Sequence, residues 1–166
     1  MALNAYLKLK GQKQGQIKGS VTQKGREGTV LVFAVDHSIV STRDSASGQA
    51  TGKRMHKPIK ITKEVDKASV PLYSALVTNE NLPEWELNFW RPKTQGRSTG
   101  VEVQYFTIKL TNAKVSSIHL VKPNTKDPNL HTLPDYEEVE FVYQKIEWTW
   151  TDGGITAIDD WVSPNV

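Results

Sequence analysis

Residues 84–90 read EWELNFW. Trp85, Leu87 and Phe89 fall on one side of an extended chain. Glu84, Glu86, Asn88 and Trp90 fall on the other. Successive side chains of a strand point to opposite faces, so this alternation predicts a strand with one face in a core. The same period runs outward in both directions. Leu3, Ala5, Leu7 and Leu9 alternate with Asn4, Tyr6, Lys8 and Lys10. Ile59 and Ile61 alternate with Lys60 and Thr62. TVLVFAV (29–35) is apolar on both faces and predicts a strand covered on two sides. In GVEVQYFTIKL (100–110) the apolar set starts at Val101, Val103 and Tyr105, then moves to Phe106, Ile108 and Leu110. A change of phase inside one strand predicts a bulge or sharp bend. VEFVYQKIEWTW (139–150), rich in β-branched and aromatic residues, reads as one closing strand.

One segment reads as helical, about 69–78 within SVPLYSALVTNEN. Ser69 or Val70 is the expected cap, which puts Pro71 in the first turn, where its missing N–H costs nothing. Leu72, Ala75 and Leu76 form a stripe that packs on a sheet. Many strands and one short helix predict a mainly β, antiparallel barrel or sandwich. Two long connections stand out, 41–57 and 122–137, the second with three prolines. Long loops without structure of their own are uncommon and often functional. The tail, 151–166, reads as a short last strand or a loose end, and Trp161 argues that it packs somewhere.

At 166 residues the chain fits a single domain, 1–166, and its 23% charged and 37% hydrophobic residues exclude wholesale disorder. There is no cysteine, which excludes disulfides, thiol catalysis and thiolate zinc sites. No apolar run approaches the roughly 18 residues of a membrane span, so no membrane insertion is expected. The alternating N-terminus lacks the layout of a signal peptide. The expected history is therefore a cytoplasmic start, with any export by a route that reads folded protein. Net charge is +3, but its distribution is uneven: +8 over residues 1–67, +3 over 68–126 and −8 over 127–166. Opposite segments that meet inside one subunit, or between subunits, are the two readings.

SASGQATGKRMHKPIKITK (45–63) invites a phosphate-loop reading. Gly48 and Gly52 bracket too few residues, Arg54 stands where a hydroxyl should follow Lys53, and a strand pattern with Pro58 follows instead of a helix. DHS (36–38) holds the three residue types of a hydrolytic triad, but strand neighbours point apart. His37, His56, His119 and His131 show no helical metal spacing, although distant ones could converge in space. Glu137, Glu138 and Glu140 read as a solvated or partner-facing edge. A hydrolase built on Glu138, Glu140 and a histidine is one alternative. The stronger alternative is a monomeric small barrel binding single-stranded nucleic acid, with Lys8, Lys10, Lys13, Lys18 and Lys24 along the backbone and Tyr6, Phe89 and Trp90 stacking on bases. Against it, the aromatics sit in acidic or apolar strands. No cofactor or metal is expected.

Five strings occur in one order: GQIKGSVTQKGREG, GKRMHKPIKITKEVDKASVPLYSAL, LPEWELNFWRP, GVEVQYFTIKLTNAKV and LPDYEEVEFVYQKIEWTW. Together they resemble the Hcp (haemolysin-coregulated protein) family, which builds the inner tube of the bacterial type VI secretion system. The resemblance covers about residues 2–161. It implies a barrel of two packed sheets with one helix alongside, like phage tail-tube proteins. It also implies homohexameric rings that stack into a tube. The tube has sheath, spike and baseplate proteins as partners and effector proteins in its lumen. It implies secretion without a signal peptide, no enzyme activity and no nucleic-acid partner. Some members carry a toxin domain after the barrel, and the residues after Trp150 are too few for one. A subunit of this length has a radius of gyration of about 15 Å, and a ring of six such bodies leaves a hole roughly 40 Å across. In the family a long loop reaches the neighbouring subunit. The matching segment here is 41–57, with Thr51, Gly52, Lys53, Arg54, Met55 and His56 as its expected contact end. Arg54 would fork onto a carboxylate, Met55 would fill an apolar gap, and the glycines permit unusual backbone angles.

Overall fold

A computed structural model describes residues 2–93 and 100–161. The alternating stretches form strands: β1 (Ala5–Gly11), β2 (Gly15–Ile17), β3 (Val30–Asp36), β4 (Ile39–Val40), β5 (Met55–His56), β6 (Ile59–Glu64), β7 (Glu84–Pro92), β8 (Glu102–Thr111), β9 (Lys114–Val121), β10 (Tyr136–Val142), β11 (Lys145–Trp150) and β12 (Ile155–Asp160). The helix α1 spans Ser69–Val77. One antiparallel ladder runs β12-β11-β8-β7-β1-β3-β6-β10-β9, with β2 paired to β1 and β4–β5 forming a separate two-stranded sheet.

Trp85 and Leu87 of β7 are buried, and Phe89 packs against the same core. The ladder folds over on itself. Trp85 on β7 and Phe141 on β10 are separated in the ladder by β1, β3 and β6, yet their rings meet edge-on at 5.4 Å. The two halves of the sheet are thus the two packed layers, with Leu7, Leu9, Val30, Ile61, Leu87 and Ile146 between them. Each such side chain contributes about 1.5–3 kcal/mol by leaving water. The expected phase change in β8 is a bulge. Phe89 faces Phe106 while the next residue, Trp90, faces Gln104, so Tyr105 is the extra residue.

The structure corrects the sequence reading in three places. The stretch 139–150 is two strands, broken at Tyr143 and Gln144. The inward set is Val139, Phe141 and Tyr143, then Ile146, and that change of phase marks the break. The helix cap is Ala68, with no side-chain capping bond, rather than Ser69 or Val70. The Ser69 hydroxyl serves elsewhere: it accepts from the Asp66 amide and donates to Glu137. Finally, Glu137 is not an edge residue. It is fully buried and faces Lys63 across the β6–β10 ladder. Its chain neighbours point away from the core, and Glu138 lies 4.0 Å from Lys60. Leu72 and Ala75 of α1 are buried as expected, and the helix packs along β9. The tail forms β12, paired along its length with β11. Residues 162–166, the end of the predicted tail, lie outside the described residues.

Candidate functional site

The long connection 41–57 is a two-stranded arm. Ile39 pairs with His56 and Val40 with Met55, and a further bridge joins Arg43 to Ala50. The Thr51 amide donates to the Thr42 carbonyl at 2.9 Å, and the Asp44 amide to that of Gln49 at 2.8 Å. The tip is tied by one side chain. Asp44 Oδ1 accepts from the amides of Ala46 and Ser47 and from the Ser47 hydroxyl. These donors, the Ser47 amide foremost, hold the Asp44 carboxyl below its ordinary range. Gly48 closes the turn at φ 71, a conformation that glycine adopts without steric cost. Every side chain from Ser38 to Lys53 is exposed.

The root of the arm is buried in a chain of hydrogen bonds. His37, before β4, places Nε2 at 2.9 Å from the Tyr143 hydroxyl. His56, on β5, places Nδ1 at 2.7 Å from that same hydroxyl and donates from Nε2 to Asp159 Oδ2 at 2.7 Å. Arg54 forks onto Asp159, Nε to Oδ2 at 2.5 Å and a terminal nitrogen to Oδ1 at 2.6 Å. Trp161 covers the site. Its ring stacks on His56 at 5.8 Å, and its Nε1 donates to the Tyr143 carbonyl. Three regions far apart in sequence meet here: the arm root, the β10–β11 break and β12. Burial pulls His37 below its ordinary pKa, with help from His56, against the Lys57 carbonyl and Asp36. Asp159 is depressed, chiefly by the Arg54 hydrogen bond. Burial pushes the Tyr143 hydroxyl far up.

Of the six expected contact residues, Thr51, Gly52, Lys53 and Met55 are exposed. Arg54 and His56 turn inward. The carboxylate that Arg54 forks onto is in its own chain. Sequence reasoning missed Tyr143 and Asp159. It did anticipate that Trp161 packs and that distant histidines could converge. Part of the charge split is met within the subunit, where Arg54 pairs with Asp159 and Lys63 with Glu137.

Of the other chemical readings, the hydrolase alternative finds one of its pairings: Glu138 lies directly opposite the exposed His119 across β10 and β9. Tyr6 and Trp90 do not offer free stacking faces. Their rings meet edge-on at 6.4 Å, and Arg26 lies against both, its guanidinium 4.7 Å from the Tyr6 ring centre and 3.7 Å from that of Trp90. Phe89 packs on the core. Among the described residues, no three histidine, aspartate or glutamate side chains are grouped to hold a metal.

These features define a class: a folded-over antiparallel sheet with one flanking helix and a projecting arm anchored at its root. Comparison with known proteins is specific. The family model described as "Type VI secretion system effector, Hcp" matches residues 6–150. The "Major exported protein" of Pseudomonas aeruginosa is 37% identical over 99% of this chain and 98% of its own length. Among solved structures, one described as an Hcp protein is similar with a TM-score of 0.86 and 32% identity, covering 95% of this chain and 97% of that one. The Hcp1 protein of the E. coli EAEC 042 pathovar has a TM-score of 0.82 at 36% identity, covering 96% and 99%. The chain belongs to the Hcp family of type VI secretion proteins.

Proposed function

We propose that this chain is a structural subunit of the type VI secretion tube. It assembles into homohexameric rings, the rings stack, and effector proteins occupy the lumen. It acts as one folded unit over residues 1–166, and its role is mechanical rather than catalytic. It is made in the cytoplasm and exported through the machine it helps build, in the company of sheath, spike and baseplate proteins. Family membership supports the tube role, and the name of the Pseudomonas aeruginosa relative supports export.

The observation that carries assembly is the arm. A two-stranded projection with exposed Thr51, Lys53 and Met55 is held at its root by hydrogen bonds, and every side chain from Ser38 to Lys53 is exposed. Met55 alone leaves 53% of its surface in water. An ordered, partly apolar projection fits a groove on a second copy, and head-to-tail contacts of that kind close rings. Gly52 belongs to the same contact end, while Arg54 and His56 serve it from beneath. Negative-stain electron microscopy of the purified chain tests the reading. Annular particles with an open centre are expected, and Met55→Asp should reduce them. A field of small, solid monomers at every protein concentration overturns it.

A further inference from the structure

Tyr143 has one hydroxyl proton and two imidazole neighbours. Its oxygen lies 2.9 Å from His37 Nε2 and 2.7 Å from His56 Nδ1. A carboxylate only accepts hydrogen bonds, so Asp159 fixes a proton on His56 Nε2. The proton count at Tyr143 is then constrained. If one of the two facing nitrogens is bare, the hydroxyl donates to it and accepts from the other. If both bring a proton, the hydroxyl hydrogen has no acceptor, and His56, with a proton on each nitrogen, stands beside that oxygen as a cation. The cluster is half-buried, so an unpaired donor and an added positive charge are both costly.

We propose that Tyr143 and Asp159 are positioning residues for the arm, and that the clasp they form with His37, His56 and Arg54 opens when both imidazoles turn an N–H toward Tyr143. The consequence is mechanical. Arg54 and His56 lie in or beside β5, and His37 lies two residues before β4, so both strands of the arm are gripped at the root. Opening the clasp frees the arm's angle without unfolding the sheet beneath it. The C-terminal strand becomes part of the device, because Asp159 lies on β12 and Trp161 just after it. The inference deepens the arm's assembly role proposed above.

The charged and titratable groups around His37 are known. Asp36 adjoins it, and the Lys57 carbonyl faces it across the β4–β5 pair. His56 and Tyr143 lie against it, and Asp159, Asp160 and Arg54 follow beyond His56. Asp36 and the Lys57 carbonyl favour a proton on His37, while burial and His56 oppose it and prevail. Because Asp159 holds a proton on His56 Nε2, the neutral His56 ring faces Tyr143 with a bare Nδ1, and both rings turn an N–H toward Tyr143 only once acid adds a further proton to the pair.

The test reads arm order inside the full chain, so it does not depend on ring formation. Amide hydrogen exchange is followed at Thr51 and Lys57, whose N–H groups bridge the arm, at about pH 7.5 and about pH 5. Rates are divided by the intrinsic rate at each pH. In the wild-type chain, protection at these amides should fall by about fivefold or more at the lower pH, the scale of one lost hydrogen bond. Tyr143→Phe should lose that protection at both pH values. His37→Gln offers Tyr143 an acceptor that never gains a proton, so its arm should stay protected at both. A pH step of equal size in His37→Gln and the wild type overturns the proposal. So does a wild-type arm whose protection ignores pH. Ring mass by light scattering is recorded in parallel. If no ring forms but the exchange pattern holds, the assembly reading fails and the clasp stands.

Discussion

Lys63 Nζ lies 2.5 Å from Glu137 Oε1, and no solvent reaches either side chain. The two residues are directly opposite across β6 and β10. Asp66 at 3.0 Å, the Ser69 hydroxyl at 3.0 Å and the Glu64 carbonyl at 2.8 Å complete the lysine's shell. Removing one member of a buried pair leaves the other charge uncompensated, at about 3–5 kcal/mol. Glu137→Ala should therefore lower unfolding free energy by about that amount in urea titration. The double replacement Lys63→Met with Glu137→Leu should be much milder, since an apolar pair of similar volume commonly replaces a buried ion pair at little cost. A double variant as unstable as the single one would contradict this account of the site.

Arg26 is a second anchor, packed against Tyr6 and Trp90 and paired with Glu102 at 2.6 Å. Its side chain is 7% exposed, so the cation is largely desolvated. Arg26→Ala should cost about 2 kcal/mol or more, and Arg26→Lys should recover only part of it, because an ammonium lacks the planar guanidinium that lies 3.7 Å over the Trp90 ring. Chemical denaturation of the two variants checks the order. Equal stability of Arg26→Lys and the wild type would remove the stacking contribution.

Gly19 marks a close approach of backbones. A Cβ there would stand 2.3 Å from the Thr29 carbonyl oxygen and 2.6 Å from the Val30 Cα. These are main-chain atoms, held by the Gly19 amide bonded to the Gly28 carbonyl at 3.0 Å. Gly19→Ala must push β3 away from the segment before it. A loss of several kcal/mol is expected, at the upper end of the range for point substitutions. Thermal melting is the check, and a melting temperature unchanged from wild type would sink the argument.

The Asp159 carboxyl sits below its ordinary value, with the Arg54 hydrogen bond as the main cause. An acid depressed in the folded state stabilises the fold above its unfolded value of 3.8, and that contribution is lost as pH falls through the lower folded value. Asp159→Asn should therefore flatten the acid side of the stability–pH profile below about pH 4 while lowering stability at neutrality. Parallel profiles for variant and wild type would count against the clasp.

The strands were legible because each residue of period two reports its own face. Trp85 and Leu87 point inward as the alternation requires, and the phase change ahead of Phe106 is the Tyr105 bulge. The same signal was present at the break between β10 and β11, where Tyr143 ends one inward set and Ile146 starts the next. Glu137 shares its phase with Val139 and Phe141, and Lys63 shares its phase with Ile59 and Ile61. Alternation therefore placed both inside, and only their charge argued for the surface. The clasp was not legible. Arg54 and Asp159 are 105 residues apart, and His37 and Tyr143 are 106 apart. Nothing local to either residue names its partner, and β12, the far end of the ladder from β3 and β6, reaches the arm only because the sheet folds over on itself. The contact end of the arm was read from glycines and basic charge, which describe exposure at Thr51 to Lys53 but not the inward turn of Arg54.

The central claim is that this chain assembles with itself, and native mass spectrometry at micromolar concentration tests it most directly. The account predicts a dominant species of roughly six times the 18.6 kDa subunit, weakened by Met55→Asp. A single species at 18.6 kDa across the whole concentration range would contradict it.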